Sequence, residues 1–307
     1  MELIFLEPVF KEMIWGGDNL KKVYDYQIPS ENTGECWAIS AHENGDCTIL
    51  NGKYSGMKLS ELYSSNRELF GNINYDKFPL LIKILDAKDD LSIQVHPNDE
   101  YANLNENGSF GKTECWYILD CKEDASIIIG HNAKTKAEMV DMINEGRWND
   151  FIREIPIKKG DFFQIEPGTL HAIKNGTMIL ETQQSSDITY RVYDYDRLQN
   201  GVKRPLHIEK SIDVISVPFV EYENIPFDEN DEIKKLCTSK FYDVYKIDID
   251  GSKEIDIEAP FLNVSIIDGE GNIDGVSIKK GMHFIVPNGY GKFELVGNLS
   301  LIISLPK

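Results

Sequence analysis

Short runs of β-branched and aromatic residues, each closed off by Gly, Pro, Asn or Asp, recur along almost the whole chain. Residues 80–85, 91–95, 115–119, 126–129, 161–165 and 178–182 are of this kind. Many short strands at this spacing predict a sandwich or barrel. Helical patterns are few. Residues 58–64 and 66–70 carry weak ones, and Asn98-Asp99 after Pro97 supplies a start signal for another. The clearest covers residues 135–145, where Thr135 and Glu138 have capping-box spacing and Met139, Met142 and Ile143 share one face.

An internal echo bears on organisation. Ile157-Lys158-Lys159-Gly160-Asp161-Phe162-Phe163-Gln164-Ile165-Glu166-Pro167 resembles Ile278-Lys279-Lys280-Gly281-Met282-His283-Phe284-Ile285-Val286-Pro287. Each reads strand, Gly turn, strand, then a Pro turn, which suggests a duplicated β-barrel with a boundary in the acidic, Pro-containing residues 218–231. The second copy lacks a His, Glu and Gln cluster, so the chemistry is expected in the first.

Charge excludes several functions. The chain has 32 basic and 51 acidic residues, a net charge of −19. Such a field repels nucleic acid and anionic membranes, and an anionic small molecule would need local cations to bind. Met1–Phe10 has Glu2 and Glu7 and no basic segment, which makes a poor signal peptide, and no apolar run approaches the roughly 18 residues of a membrane helix. The five scattered cysteines form no CxxC pair, so reduced thiols and a cytoplasmic location are expected.

The strongest chemical signal lies between residues 94 and 171. In Leu91-Ser92-Ile93-Gln94-Val95-His96, period-two alternation sends Gln94 and His96 to one face and Ile93 and Val95 to the other. Glu114 opens the strand Glu114-Cys115-Trp116-Tyr117, and His171 follows the turn Pro167-Gly168-Thr169. Two imidazoles and a carboxylate are the ligand set of a catalytic zinc or iron site, with Gln94 a weaker ligand or an outer donor. Alternation turns Cys115 away from Glu114 and leaves it a structural thiol. His42, His131, His207 and His283 are assigned to core or surface roles.

A second constellation runs from Glu181 to Arg197. Read as a strand, it puts Thr189, Arg191, Tyr193 and Tyr195 on one face, with Arg191 poised for an anion or held in an ion pair with Asp187 or Asp194. Lys112, two residues before Glu114, is either a solvated surface lysine or a cation beside the metal.

Together these motifs are specific. Gln94-Val95-His96-Pro97-Asn98-Asp99, Gly111-Lys112-Thr113-Glu114-Cys115-Trp116-Tyr117, Pro167-Gly168-Thr169-Leu170-His171-Ala172 and the Glu181–Arg197 segment resemble, in order, the short bacterial form of type I mannose-6-phosphate isomerase. Pro8-Val9-Phe10-Lys11-Glu12, Trp15-Gly16-Gly17 and Gly34-Glu35-Cys36-Trp37-Ala38-Ile39-Ser40 resemble the opening of that family, so the similarity covers roughly residues 5 to 215. The resemblance implies a mainly β chain of two cupin-type jelly-roll barrels with a few short helices. Residues 1–220 would form a catalytic cupin domain and residues 221–307 a degenerate one. It implies one zinc held by His96, Glu114 and His171, with Gln94 at the position of a fourth ligand in longer members. It also implies a catalytic or substrate-orienting Arg191, and Lys112 and Glu181 in the same pocket. The extra helical domain of long members has no room in this chain.

The implied reaction interconverts mannose 6-phosphate and fructose 6-phosphate, moving a proton between C1 and C2 through a cis-enediol. Zinc would act as a Lewis acid. Glu181 or a metal-bound water would be the base, and Lys112 and Arg191 would supply charge for the phosphate or the developing oxyanion. The alternatives are another metal-dependent cupin enzyme, which Gln94 in place of a further histidine disfavours for oxygen chemistry, and a sugar-phosphate-binding cupin without catalysis.

Overall fold

The computed structural model describes residues 1–223, 225 and 231–307. Two sheets stack in the N-terminal part. One runs Phe162–Ile165, Glu114–Cys121, Thr177–Gln184 and Leu80–Ala87, with Val9–Gly17 and Thr33–Ile39 completing it beyond Leu80–Ala87. The other runs Ile152–Pro156, Ser126–His131, His171–Ile173, Ile93–Val95 and Tyr190–Tyr193. Their pairings are antiparallel, and spatial neighbours are often distant in sequence, as in a jelly roll. The walls are stacked sheets rather than closed barrels. Every residue of Leu80–Ala87 and Thr177–Gln184 is buried, because these central strands are covered on both faces.

Alternation sorts the two faces. Trp116, Ile118, Leu85 and Ile179 point between the sheets and meet Ile127, Ile129 and Ile173 from the opposite wall. Cys115, Ile82 and Ile84 point the other way, into a core shared with Leu236, Val244 and Ile302 of the C-terminal part.

That part is one sheet running Ile233–Thr238, Tyr242–Ile255, Phe293–Pro306, Leu262–Ile273 and His283–Val286, with Val276–Lys279 beside Leu262–Ile273. It then continues into the start of the chain. Ile4–Glu7 pairs with His283–Val286, Ile4 opposite Ile285, and its far end pairs with Thr48–Ile49. Gly251, Gly297 and Gly271 stand in register across three strands, and a Cβ on Gly271 would lie 2.1 Å from the Val296 carbonyl oxygen. Only glycine fits so close an approach.

The expected helices form at Leu59–Ser65, Asp99–Asn105 and Lys136–Asn144, with a 3-10 turn at Arg67–Phe70. Thr135 Oγ1 accepts from Glu138 N at 3.2 Å. The Glu138 carboxylate reaches Lys134 N at 2.7 Å, one residue before the capping-box partner. Short helices at Asn19–Tyr24, Trp148–Phe151 and Ile208–Val214 carry too few periodic residues to be seen in sequence. The echo is structural: Gly160 and Gly281 have φ of 93° and 84°, and each leads into a strand, Phe162–Ile165 and His283–Val286. Within the boundary expected at 218–231, residues 224 and 226–230 lie outside the described residues. Among the described residues no helix is long and apolar enough to cross a membrane.

Candidate metal centre and cleft

Strand register brings the chemistry together as two facing rows. Across the first sheet, Trp116 lies opposite Glu181, Glu181 opposite Lys83, and Lys83 opposite Trp37. Across the second, Gln94 lies opposite both His171 and Arg191. Glu114, one inward-facing position from Trp116, and His96, just past Ile93–Val95, close one end of the space between the rows. Ile93 and Val95 are buried in the core on the other side of their sheet, as alternation requires.

His96, Glu114 and His171 are buried, and one donor atom from each lies within 4.8 Å of the others. The two Nε2 atoms are 3.1 Å apart, and each lies 3.4 Å from a Glu114 oxygen. Tetrahedral donors at about 2.1 Å from an ion stand about 3.4 Å from one another, so the spacing fits a small cation. The outer nitrogens strengthen the case. His96 Nδ1 is 2.8 Å from the Ile188 carbonyl oxygen, and His171 Nδ1 is 2.8 Å from that of Thr169. Carbonyls only accept, so both Nδ1 atoms carry the proton and both Nε2 lone pairs face inward. Glu114 Oε1 is buried and has no hydrogen-bonding partner among the described residues. Two lone pairs and an orphaned carboxylate oxygen fit a divalent cation. Gln94 Nε2 stands 3.3 Å from His171 Nε2, at the edge of this group.

Lys112 is buried, only 4% exposed. Its ammonium bonds Glu114 Oε2, lies 3.1 Å from His96 Nε2 and stands 3.8 Å from Glu181 Oε1. Burial holds both imidazoles neutral, His171 down to about 3 and His96 well below its usual value, and the Lys112 charge pushes the same way. Burial opposes the Lys112 charge, but Glu114 and Glu181 overcome it and raise its pKa. Burial, with Glu114 nearby, lifts the Glu181 carboxyl above the ordinary range. Trp116 Nε1 donates to Glu181 Oε1 at 3.2 Å, while Glu181 Oε2 has no hydrogen bond among the described residues.

These groups open into a cleft that Gln94, Lys112, Glu181 and Arg191 all line. One expectation about the Arg191 strand fails. The pairing with Ile93–Val95 slips between Arg191 and Tyr193, and this bulge turns Tyr193 away. Arg191 faces the cleft, whereas Tyr193 stacks on Trp148 with ring centres 4.5 Å apart, and Tyr195 packs beside it. The ion pair weighed for Arg191 does not form either: Asp194 is taken by Arg197 and Arg204, and Asp187 lies 3.6 Å from His42.

Sequence reasoning missed Lys83, Glu35 and Arg204, which line the same cleft. Lys83 lies 3.5 Å from Glu35 and 3.6 Å from Glu181. Its signal was present as a lone charge in the apolar run Leu80-Leu81-Ile82-Lys83-Ile84-Leu85. A charge there must be paired once the strand is central.

Two stacked antiparallel sheets with an inward-facing triad able to ligate a metal define a cupin-type protein. Residues 3–120 match the family model for the phosphomannose isomerase type I catalytic domain, and residues 232–306 that for the mannose-6-phosphate isomerase cupin domain. The chain is 50% identical to the mannose-6-phosphate isomerase ManA of Bacillus subtilis, over 99% of this chain and 98% of that one. It is 49% identical to the mannose-6-phosphate isomerase of Streptococcus mutans, over 99% and 98%. The crystal structure of a Bacillus subtilis mannose 6-phosphate isomerase superposes with a TM-score of 0.95 over 99% of both chains, at 49% identity. The chain belongs to the type I phosphomannose isomerase family.

Proposed function

We propose that this chain interconverts mannose 6-phosphate and fructose 6-phosphate in the cytoplasm, with one zinc ion held by His96, Glu114 and His171 and with Gln94 beside it. The convergence of those three donors against Gln94 and Lys112, which line a cleft together with Glu35, Glu181 and several further cations, carries the reading. Bound zinc would supply Lewis acidity that lowers the cost of negative charge on the sugar oxygens, and it asks no redox chemistry of the site.

The chain's own residues account for the rest. Glu181 carries the proton between C1 and C2: burial makes its carboxylate a stronger base, and among the described residues Oε2 has no hydrogen bond, only the Lys83 ammonium 3.6 Å away. One carboxylate serving both carbons works from one face of the sugar, which is the demand of a cis-enediol. Trp116 fixes the other oxygen and so aims the carboxylate. Lys112 neutralises charge at the closed end, and Arg191 orients the substrate from the opposite wall. Residues 1–220 carry the site in this reading, and residues 221–307 form a C-terminal β domain without one. Five free cysteines suit a reducing compartment.

A coupled assay converting mannose 6-phosphate to fructose 6-phosphate, run with and without chelator, tests the proposal. Activity should vanish with the metal and return with zinc, and His171→Ala should lose both metal and turnover. Turnover by metal-free protein, or binding of the phosphosugar without turnover by the zinc-loaded form, refutes it.

A further inference from the structure

A cleft that accepts a phosphosugar needs a seat for a dianion, and the protein carries a net charge of −19. Long-range attraction cannot supply it, so the seat must be local and preorganised. Lys112 is a poor candidate because Glu114 already engages it at the closed end.

The opposite wall is better equipped. Arg191 and Arg204 both line the cleft. Among the described residues no carboxylate comes within ion-pairing distance of Arg191, and its Nε is buried without a hydrogen-bond partner. Its backbone is fixed on both sides, since Arg191 N donates to His207 Nδ1 at 3.1 Å and His207 N donates to Arg191 O at 2.8 Å. Arg204 is held from behind. Its Nε and Nη2 donate to the two oxygens of Asp194, at 2.7 and 2.6 Å. Arg197 Nη2 donates to the same carboxylate at 2.5 Å. Burial lowers the pKa of Arg191, and the nearby charge of Arg204 adds to that effect. Two neighbouring guanidiniums repel each other, and among the described residues the one carboxylate that pairs with Arg204, Asp194, is shared with Arg197. A phosphate monoester relieves both that repulsion and the missing hydrogen bonds, and the planar fork of arginine suits its oxygens.

We propose that Arg204, held in place by Asp194, forms with Arg191 a phosphate clamp that selects phosphorylated sugars, an inference that rests on the isomerase reading. Arg191 and Arg204 touch the phosphate, and Asp194 is a positioning residue that touches only the arginines.

Steady-state kinetics on the zinc-loaded enzyme, with calorimetric titration of inorganic phosphate, test this. Arg204→Gln should raise the KM for mannose 6-phosphate roughly ten- to a hundredfold, with a much smaller change in kcat, and weaken inorganic phosphate by a similar factor. Arg204→Lys should fall between, keeping charge and losing the fork. Asp194→Asn gives the sharper result because two readings differ in sign. If Asp194 acted only through its negative charge, its removal would improve phosphate binding. If it positions Arg204, KM rises and Kd for inorganic phosphate weakens. A KM within about twofold of wild type for Arg204→Gln, or a lowered KM for Asp194→Asn, overturns the clamp. Metal content equal to wild type certifies that each variant is folded. Phosphate binding that needs Arg204 in a protein without turnover would keep the clamp and sink the isomerase; turnover indifferent to Arg204 would do the reverse.

Discussion

Glu114→Gln tests the metal reading at its most constrained residue. The carboxylate does two things: it faces the imidazole lone pairs through both oxygens, and it pairs with buried Lys112. Removing its charge strands an ammonium in the interior, which costs about 3–5 kcal/mol when nothing else compensates. Glu181, 3.8 Å from Lys112, compensates in part, so the lower end of about 3 kcal/mol applies. For 307 residues the unfolding entropy is on the order of 0.6 kcal/mol/K, so metal-free Glu114→Gln should melt about 5 °C below metal-free wild type. Metal adds a second shift. At a hundredfold over Kd, a ligand that binds only the folded state contributes about 2.7 kcal/mol, or about 4 °C here. Wild type should show that rise when zinc is added after chelation, and Glu114→Gln should not. Differential scanning calorimetry on both proteins, each with and without zinc, separates the two effects. If Glu114→Gln gains the full zinc-dependent rise, the carboxylate is not a ligand and the argument from lone-pair convergence is wrong.

Three further outcomes are expected. Glu181→Gln should lower kcat by about 10²–10⁴ at unchanged metal content; a fall of less than about tenfold, read in the coupled assay, would remove Glu181 as the base. Burial alone would raise the Asp194 carboxyl, but bonds from Arg204 and Arg197 overcome it and hold it below the usual range. A depressed carboxylate lends stability above its unfolded value of about 3.9 and loses it as pH falls through the folded one. Asp194→Asn should therefore melt about 2–5 °C lower at neutral pH, with the gap closing below about pH 4; a gap that widens in acid contradicts the sign. Where the N-terminal part meets the C-terminal sheet, Tyr26 Oη bridges Gly281 O at 2.9 Å and His283 Nε2 at 2.7 Å. Tyr26→Phe should cost about 1–3 kcal/mol, or roughly 2–5 °C, and leave zinc binding intact; a change in bound zinc would link the two parts in a way the geometry does not require.

Much of the architecture was legible because it depends on neighbours in sequence. Alternation in Ile93-Gln94-Val95-His96 was enough to say which side chains share a face, and turn residues were enough to bound the strands. Arg191 and Tyr193 mark the limit. Their expected common face depended on an unbroken strand, and the bulge that separates them arises in the pairing with Ile93–Val95, about a hundred residues away. Register across sheets is equally hidden. Nothing near Lys83 in sequence announces Glu181 or Glu35, although a charge inside an apolar run was a warning. Arg204 follows an exposed hairpin at Leu198–Gln199 and Val202–Lys203, and it reads as ordinary surface until Asp194 is seen behind it. The Lys112 side chain illustrates a different point. Lysine is usually exposed, and only the nearness of Glu114 and Glu181 makes its burial tolerable.

The pairing of Ile4 with Ile285 has a consequence for synthesis of the chain. The ribosome releases Ile4–Glu7 about 280 residues before its neighbour exists, so this segment must wait, unzipped along one margin, while the rest emerges. The C-terminal sheet can mature only when newly made protein returns to meet the oldest. A nascent chain halted near residue 220 would therefore present Leu3 and Ile4 to chaperones or to other nascent chains.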